Sequence, residues 1–328
     1  MQTDRALIQQ ATAQLLEAGI QSAEHDATVL LEHAGTTNEF HELVAKRAQR
    51  IPLQHLTGVA YFRYISLAVG SGVFVPRPET ELLAQVGVDV LGEIVRKQTE
   101  QVISATADAK QQILNQLESQ QSLIDGENVV NRPKPIAFDL CAGSGAIALS
   151  LATEVSNVIV HAVEQSVDAT HWLMKNVSRY EQQMESNGSR ITVHTLDATD
   201  LNQFTQWFNT ADVVLSNPPY IPNDMIPREP EVRDYDPHVA LFGGIDGLEI
   251  PQAVAIVASQ LLRDGGTFAM EHADVQGEGE GGLPEVLRNM RDSSGELVWQ
   301  NVTDHTDYNG LPRFTTAIRA KRPAEVEQ

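Results

Sequence analysis

At 328 residues, with 42% hydrophobic and 20% charged residues, the chain has the length and composition of a globular protein of about two domains. Its 23 basic and 44 acidic residues give a formal net charge of −21, a surface that repels phosphate backbones, so no direct nucleic-acid partner is expected. A single cysteine, Cys141, excludes an intrachain disulfide and a cysteine-based zinc site, and the lack of a signal-peptide core or a membrane-length apolar run makes the cytoplasm the expected compartment.

Residues 1–57 read as a helical bundle, with Leu7, Ile8, Ala11, Leu15 and Leu16, then Val29, Leu30 and Leu31, then Leu43, Val44 and Ala48 at helical spacing. His25, His33, His41 and His55 lie here, but no two have the spacing of a metal pair, and they read as surface or packing residues. The bundle carries no catalytic signature, which leaves substrate recognition as its expected role. At 58–81 the period changes. Tyr61 to Val69 suggests a hairpin, and Phe74 precedes a stiff Pro76-Arg77-Pro78-Glu79-Thr80-Glu81 lead-in, with Thr80 placed to cap the next helix. The stretch from 82 reads as a long helix that becomes polar and Gln-rich, a helical insertion over about 92–135 with a turn-rich connector from Ser122.

Ile136 to Leu140 reads as a buried strand that includes Asp139. Cys141-Ala142-Gly143-Ser144-Gly145 is then a tight turn opening a helix, a place where backbone can approach a ligand and free N–H groups are on offer. The strand Val158–Val163 ends in Glu164, suited to two ribose hydroxyls, and Ile191–Leu196 ends in Asp197, followed by Ala198 and suited to an adenine amine. Strand, glycine loop, helix, strand and acid together make a nucleoside-binding layout. Gly143-x-Gly145-x-x-Ala148 also satisfies the looser dinucleotide fingerprint, so on this segment alone a nicotinamide dehydrogenase stands as a rival.

The strand Asp212–Ser216 runs into Asn217-Pro218-Pro219-Tyr220. Two prolines fix their own φ and push Asn217 out of the helical region, giving a stiff turn at a strand end. The Asn217 side-chain oxygen and the Pro218 carbonyl are two acceptors for the N–H groups of a planar NH2, and Tyr220 is placed to cover a flat substrate. The dehydrogenase reading gives no account of this turn. Ile221 to His238, with four prolines, reads as a long loop and candidate lid, followed by a second glycine-rich turn over 241–248 and a helix from Ile250 to Leu262. Thr267–Glu271, Leu297–Val302 and Phe314–Arg319 read as strands, Glu271-His272 as a structural hydrogen-bonding pair ahead of a general acid/base pair, and Pro323–Gln328 as a frayed tail.

Taken together, Phe74-x-Pro-Arg-Pro-Glu-Thr-Glu81, Asp139-Leu-x-x-Gly-Ser-Gly-Ala-Ile-Ala-Leu149, Asn217-Pro-Pro-Tyr-Ile221, Gly244-x-Asp-Gly-Leu248 and Glu271-His272 with Gln276-Gly277 resemble the HemK/PrmC family of release-factor glutamine N5-methyltransferases. The resemblance implies an α/β chain: a class I S-adenosylmethionine-dependent methyltransferase fold with a Rossmann-like seven-stranded sheet at 82–328, an N-terminal helical bundle at 1–57 and a hairpin and linker at 58–81. It implies S-adenosyl-L-methionine as donor and the glutamine of the Gly-Gly-Gln motif of peptide-chain release factors as acceptor, with the enzyme a monomer and no metal. By position, Asp139, Cys141, Ala142, Gly143, Ser144, Gly145 and Glu164 would hold the methionine moiety and ribose, and Asp197 and Ala198 would lie at the adenine. Asn217 and Pro218 would grip the glutamine amide, with Pro219, Tyr220 and Phe74 shaping its pocket. Cys141-Ala142 stands where the family often has Gly-Thr, and the stretch between Glu81 and Asp139 is longer than usual. An amino-methyltransferase acting on a nucleobase or on another protein glutamine is the alternative, and its nucleobase form is disfavoured by the charge and by the small, non-basic N-terminal unit. A non-enzymatic binding protein is disfavoured by the intact set of motif residues.

Overall fold

A computed structural model describes residues 2–118 and 133–322. Its first helices are α1 (Gln2–Glu17), α2 (Ala23–His33), α3 (Thr37–Ala48) and α4 (Leu53–Thr57). They close over a core of their own in which Ala11, Leu15, Ile20, Leu30, Phe40 and Val44 are buried. Leu16, expected on the apolar stripe, faces solvent, and its neighbour Leu15 takes the inward position.

The period-two stretch forms the expected hairpin. β1 (Val59–Phe62) pairs antiparallel with β2 (Ile65–Ala68), and Arg63 sits in the turn with φ of 48°. The Arg63 guanidinium donates twice to Glu154, both bonds 2.7 Å, and its backbone N–H donates to Glu81. A planar fork on a carboxylate fixes orientation as well as distance. α5 (Thr80–Glu118) follows. The expected insertion continues this helix unbroken to Glu118, and its remainder up to residue 132 lies outside the described residues.

The rest alternates strand and helix: β3 (Ile136–Leu140), α6 (Ala146–Glu154), β4 (Ile159–Val163), α7 (Val167–Ser186), β5 (Arg190–His194), β6 (Ala211–Ser216), α8 (Pro230–Tyr235), α9 (Glu249–Leu261), β7 (Leu262–Glu271), α10 (Leu283–Asn289), β8 (Trp299–Thr306) and β9 (Pro312–Arg319). The expected seven-stranded sheet has the order β5-β4-β3-β6-β7-β9-β8. β3, β4, β5, β6 and β7 are mutually parallel, whereas β9 runs antiparallel to both β7 and β8. β7 begins five residues before the expected Thr267, and the Gly265-Gly266 stretch, with Gly265 at φ of 78°, bends the chain within it and makes its pairing to β6 irregular.

Side chains leave alternate faces of a strand. Ala137, Val160, Val213 and Leu215 therefore join the core under α5, α6 and α7, and Phe138, Leu140, Val214 and Phe268 join the core under α9 and α10. Burial on both faces explains why β6 reads as a continuous apolar run: all six of its residues are buried. Among the described residues no helix is long and apolar enough to cross a membrane.

Gly87 on α5 is where that helix meets the sheet most closely. A Cβ there would lie 2.6 Å from Leu215 Cδ1 and 2.7 Å from Leu151 Cδ2. Gly87→Val is expected to lower stability by about 2–3 kcal/mol through overpacking, read as a lower urea midpoint at unchanged slope.

Candidate active site

β3 and β6 are adjacent and parallel, with Leu140 opposite Ser216. The Ser216 hydroxyl donates to Leu140 O at 2.7 Å. The chain after each strand therefore emerges at the same level, at the point where the strand order reverses, and open α/β sheets take their ligands there. A cleft of about 270 Å³ opens between the two loops. Cys141–Ser144, Glu164, Ala198, Asn217–Tyr220, Phe74, Arg77 and Thr80 are among the residues lining it.

One half of the cleft is the glycine loop. Cys141, Gly143 and Gly145 have φ of 65°, 54° and 88°. A Cβ added at Gly143 would meet nothing within 4 Å, so the loop offers bare backbone to the open side. Beneath it, Asp139 is fully buried. Its Oδ2 accepts the Ala148 N–H at 2.9 Å and so fixes the first turn of α6, while Oδ1 has no hydrogen-bond partner among the described residues. Burial lifts this carboxyl to about 7. Burial also pushes the Cys141 thiol up, which keeps it protonated and unreactive. Glu164 accepts from Gly143 N–H at 2.9 Å and from Ser166 N–H at 2.8 Å. Burial raises this carboxyl too, against the pull of those backbone donors. The remaining acceptor capacity of a carboxylate at the cleft wall fits a pair of hydroxyls.

Ala198 reaches the cleft, but Asp197, expected at an adenine amine, does not line it. Its Oδ1 is taken by the N–H and hydroxyl of Thr199, which turns the chain locally. Asp139 likewise acts from below the loop and not from its wall. The sequence reading also missed Asn176, fully buried on α7. Its side chain accepts Ala68 N–H and donates to Ala68 O and Ser144 O, which ties β2 to the glycine loop.

The other half is the turn after β6. The Asn217 Nδ2 donates to Thr80 Oγ1 at 3.1 Å, and Thr80 Oγ1 donates to Glu271 Oε2 at 2.7 Å. The Tyr220 hydroxyl donates to Glu271 Oε1 at 3.2 Å. Thr80 is itself the first residue of α5, and its hydroxyl bonds to Asn217 and Glu271, with no bond to a helix N–H among the described residues. Burial lifts the Glu271 carboxyl to about 7, against the bonds from Thr80 and Tyr220 and the charge of Arg313. Burial, with Glu271 nearby, also raises the Tyr220 phenol. His272 is fully buried, one ring nitrogen on Ala273 O and the other on Asp304, so it faces away from the chemistry. Gln276 Nε2 donates to Tyr220 O and to Asp246 O, bracing the turn. Gly247, with φ of 78°, has no room for a Cβ against Tyr220 O, which explains the second glycine-rich turn.

The expected lid between Ile221 and His238 contains the short helix α8 and is pinned at two places. Glu231 takes Arg47 Nη1 at 2.8 Å and Arg50 Nη2 at 2.6 Å, both from the N-terminal helical unit. Asp236 takes Arg77 Nη2 at 2.6 Å. The Arg77 guanidinium lies 4.7 Å from the centroid of the Phe74 ring and holds it at the cleft wall. Val232 and Pro237 of this segment, and Val239 and Leu241 just after it, line the cleft.

The family described as Methyltransferase small domain matches residues 126–226. A release factor glutamine methyltransferase of Streptomyces coelicolor is 38% identical, over 96% of this chain and 98% of its own length. One from Bifidobacterium longum is also 38% identical, over 83% of this chain and 88% of its own. A 4-amino-L-phenylalanine/4-methylamino-L-phenylalanine methyltransferase of Streptomyces pristinaespiralis is 30% identical over 82% of each chain.

The charge state of Asp139 makes a stability prediction. A carboxyl at about 7 when folded and near its ordinary 3.8 when unfolded stabilises the fold only while protonated, so its contribution is full below about pH 4 and is lost as pH rises to about 7. Asp139→Asn has no such titration. The stability of Asp139→Asn relative to the wild type should grow by on the order of a few kcal/mol between those limits and level off above, read from unfolding midpoints across pH.

Proposed function

Because this chain belongs to the family of release factor glutamine methyltransferases, we propose that it transfers a methyl group from S-adenosyl-L-methionine to the side-chain amide nitrogen of the Gly-Gly-Gln glutamine of a peptide-chain release factor. The observation that carries this reading is the meeting of the glycine loop and the Asn217–Tyr220 turn in one cleft at the sheet's switch point. The fold is that of a class I methyltransferase.

Bound S-adenosylmethionine supplies an electrophilic methyl carbon on a sulfonium. The protein's share is to hold the acceptor. An amide nitrogen is a poor nucleophile, since its lone pair is delocalised into the carbonyl. In our reading the Asn217 side-chain oxygen and the Pro218 carbonyl accept the two N–H groups of the glutamine amide and fix its plane against the donor side. The bond from the amide nitrogen to the methyl carbon forms as that carbon's bond to sulfur breaks and leaves a neutral thioether; the strongly acidic methylated nitrogen then passes its proton through one of those hydrogen bonds to water, so no side-chain base is required. The rate then comes chiefly from positioning. Phe74, steadied by Arg77, packs on the aliphatic stem of the glutamine. Pro219 stiffens the turn, and Tyr220 closes the pocket.

On the donor side we assign the Cys141–Gly145 backbone and Glu164 to the methionine moiety and ribose, and Ala198, in the loop after β5, to the adenine. Asp139 and Asp197 support that surface from behind. We divide the chain into a recognition unit at 1–57, a hairpin and linker at 58–81 and a catalytic unit from 82. We place the enzyme in the cytosol as a monomer that acts on protein and not on nucleic acid, consistent with its net charge of −21.

The test is transfer of label from S-adenosylmethionine to purified release factor, beside a copy whose Gly-Gly-Gln glutamine is changed to alanine. Label is expected on the native factor only. Asn217→Ala should lower kcat/KM by on the order of 10²-fold or more. Donor binding without label on any release factor would overturn the acceptor assignment, and nucleic acids and small amines would then be tried as acceptors.

A further inference from the structure

We propose that Thr80 and Glu271 are positioning residues that fix which end of the Asn217 side-chain amide faces the acceptor nitrogen. The proposal rests on the reading of Asn217 as a grip on the glutamine amide, and it concerns how that grip gets its polarity.

The two ends of an asparagine amide have nearly the same shape and opposite hydrogen-bonding character. Presented oxygen-first, Asn217 accepts an N–H of the substrate. Presented nitrogen-first, it sets one NH2 against another, and the grip becomes a repulsion. The Pro218 carbonyl has no such choice, because its polarity is fixed by the backbone. Asn217 must take its orientation from whatever its far end touches, and that partner is Thr80 Oγ1.

A threonine hydroxyl has one proton to give. At Thr80 it goes to Glu271 Oε2 at 2.7 Å, the shorter of its two side-chain bonds. The oxygen that remains can only accept, so Asn217 must offer it Nδ2, which leaves Oδ1 for the cleft. In its ionised form Glu271 can only accept, and it takes one bond from each of its neighbours, Thr80 and Tyr220, which sets the direction. Thr80 and Glu271 are 3% and 1% exposed, so no water competes for these bonds. Arg313 on β9 and Glu79 on the lead-in to α5 act on Glu271 with opposite signs. The relay joins three parts of the chain that are distant in sequence: the Pro-Arg-Pro-Glu-Thr-Glu lead-in, the turn after β6 and the end of β7.

The experiment compares Thr80→Val, which removes the hydroxyl at nearly constant volume, with Thr80→Ser, which keeps it. For each, kcat and KM for release factor are measured, together with donor affinity by calorimetry and the unfolding midpoint. Thr80→Val is expected to lose roughly 10- to 100-fold in kcat, because the reacting geometry is no longer held. Its KM for release factor, set by the protein–protein surface, should stay within about threefold of wild type by the same separation of binding from orientation. Donor affinity should be unchanged, and Thr80→Ser should restore most of kcat. A purely structural role for Thr80 would lower donor affinity and stability along with kcat. Thr80→Ala removes the same hydroxyl without placing bulk against the carboxylate and replaces Thr80→Val should that variant not fold. A Thr80→Val enzyme with wild-type kcat, or a Thr80→Ser enzyme as slow as Thr80→Val, would overturn the proposal alone. A wild-type enzyme that binds donor but labels no release factor would overturn the reading of Asn217 and this proposal with it.

Discussion

The site depends first on the pairing of β3 with β6. Two parallel strands in register, Leu140 opposite Ser216, release their chains at the same height. One release point must be a loop that a ligand can approach closely, and the other a turn that cannot relax. The sequence supplies glycines after the first and prolines after the second, so the two halves are physically different. The first half yields bare N–H groups and a carboxylate at the end of the neighbouring strand, β4. The second yields fixed acceptors. A slip of one residue in this pairing would also send Phe138 and Leu140 to the wrong face of the sheet. The same apolar contacts that stabilise the core thus hold the cleft in alignment.

The parts of this arrangement that lie in one stretch of chain were legible in the sequence. Strand β6 with its turn, strand β3 with its glycine loop, and the acid that ends β4 each announce themselves through local composition, and the structure places their residues around one cleft. Contacts between distant segments were not legible. Thr80 read as a helix cap because a threonine before a helix usually is one; only the fold brings Glu271 within reach of its hydroxyl. Nothing in the sequence near Asn176 signals that it serves as a hydrogen-bond partner for β2 and the glycine loop. At Asp197 the strand-end position suggested a ligand, and what the sequence did not show is that Thr199, two residues later, donates its N–H and hydroxyl to one carboxylate oxygen.

Four carboxylates, Asp139, Glu164, Asp236 and Glu271, are buried at or beside the cleft of an already acidic protein. Each is handled locally. Asp139 and Glu164 take backbone donors, Glu271 takes two hydroxyls, and Asp236 takes an arginine. Burial still dominates: it lifts Asp139 and Glu271 to about 7 and Asp236 to about 6 in spite of these partners. Such groups cost stability, which a core residue would not. Their value is directional. A hydrogen bond to a carboxylate has a defined donor and acceptor, and apolar packing has neither.

That distinction bears on the segment between β6 and α9. Its wall against the cleft is apolar, through Val232, Val239 and Leu241, and apolar contacts alone would let it slide. Its orientation comes from Glu231 and Asp236. Arg47 reaches Glu231 while also holding Asp26 at 2.7 Å inside the helical unit, so the guanidinium is not free to follow the segment if it moves. Arg77 is anchored in the proline-flanked lead-in and stacked on Phe74, so Asp236 is tied to the cleft wall itself. The N-terminal helices, the lead-in and the segment over the cleft are therefore set in place by directional charge contacts, and the apolar pocket takes its shape from where those contacts put it.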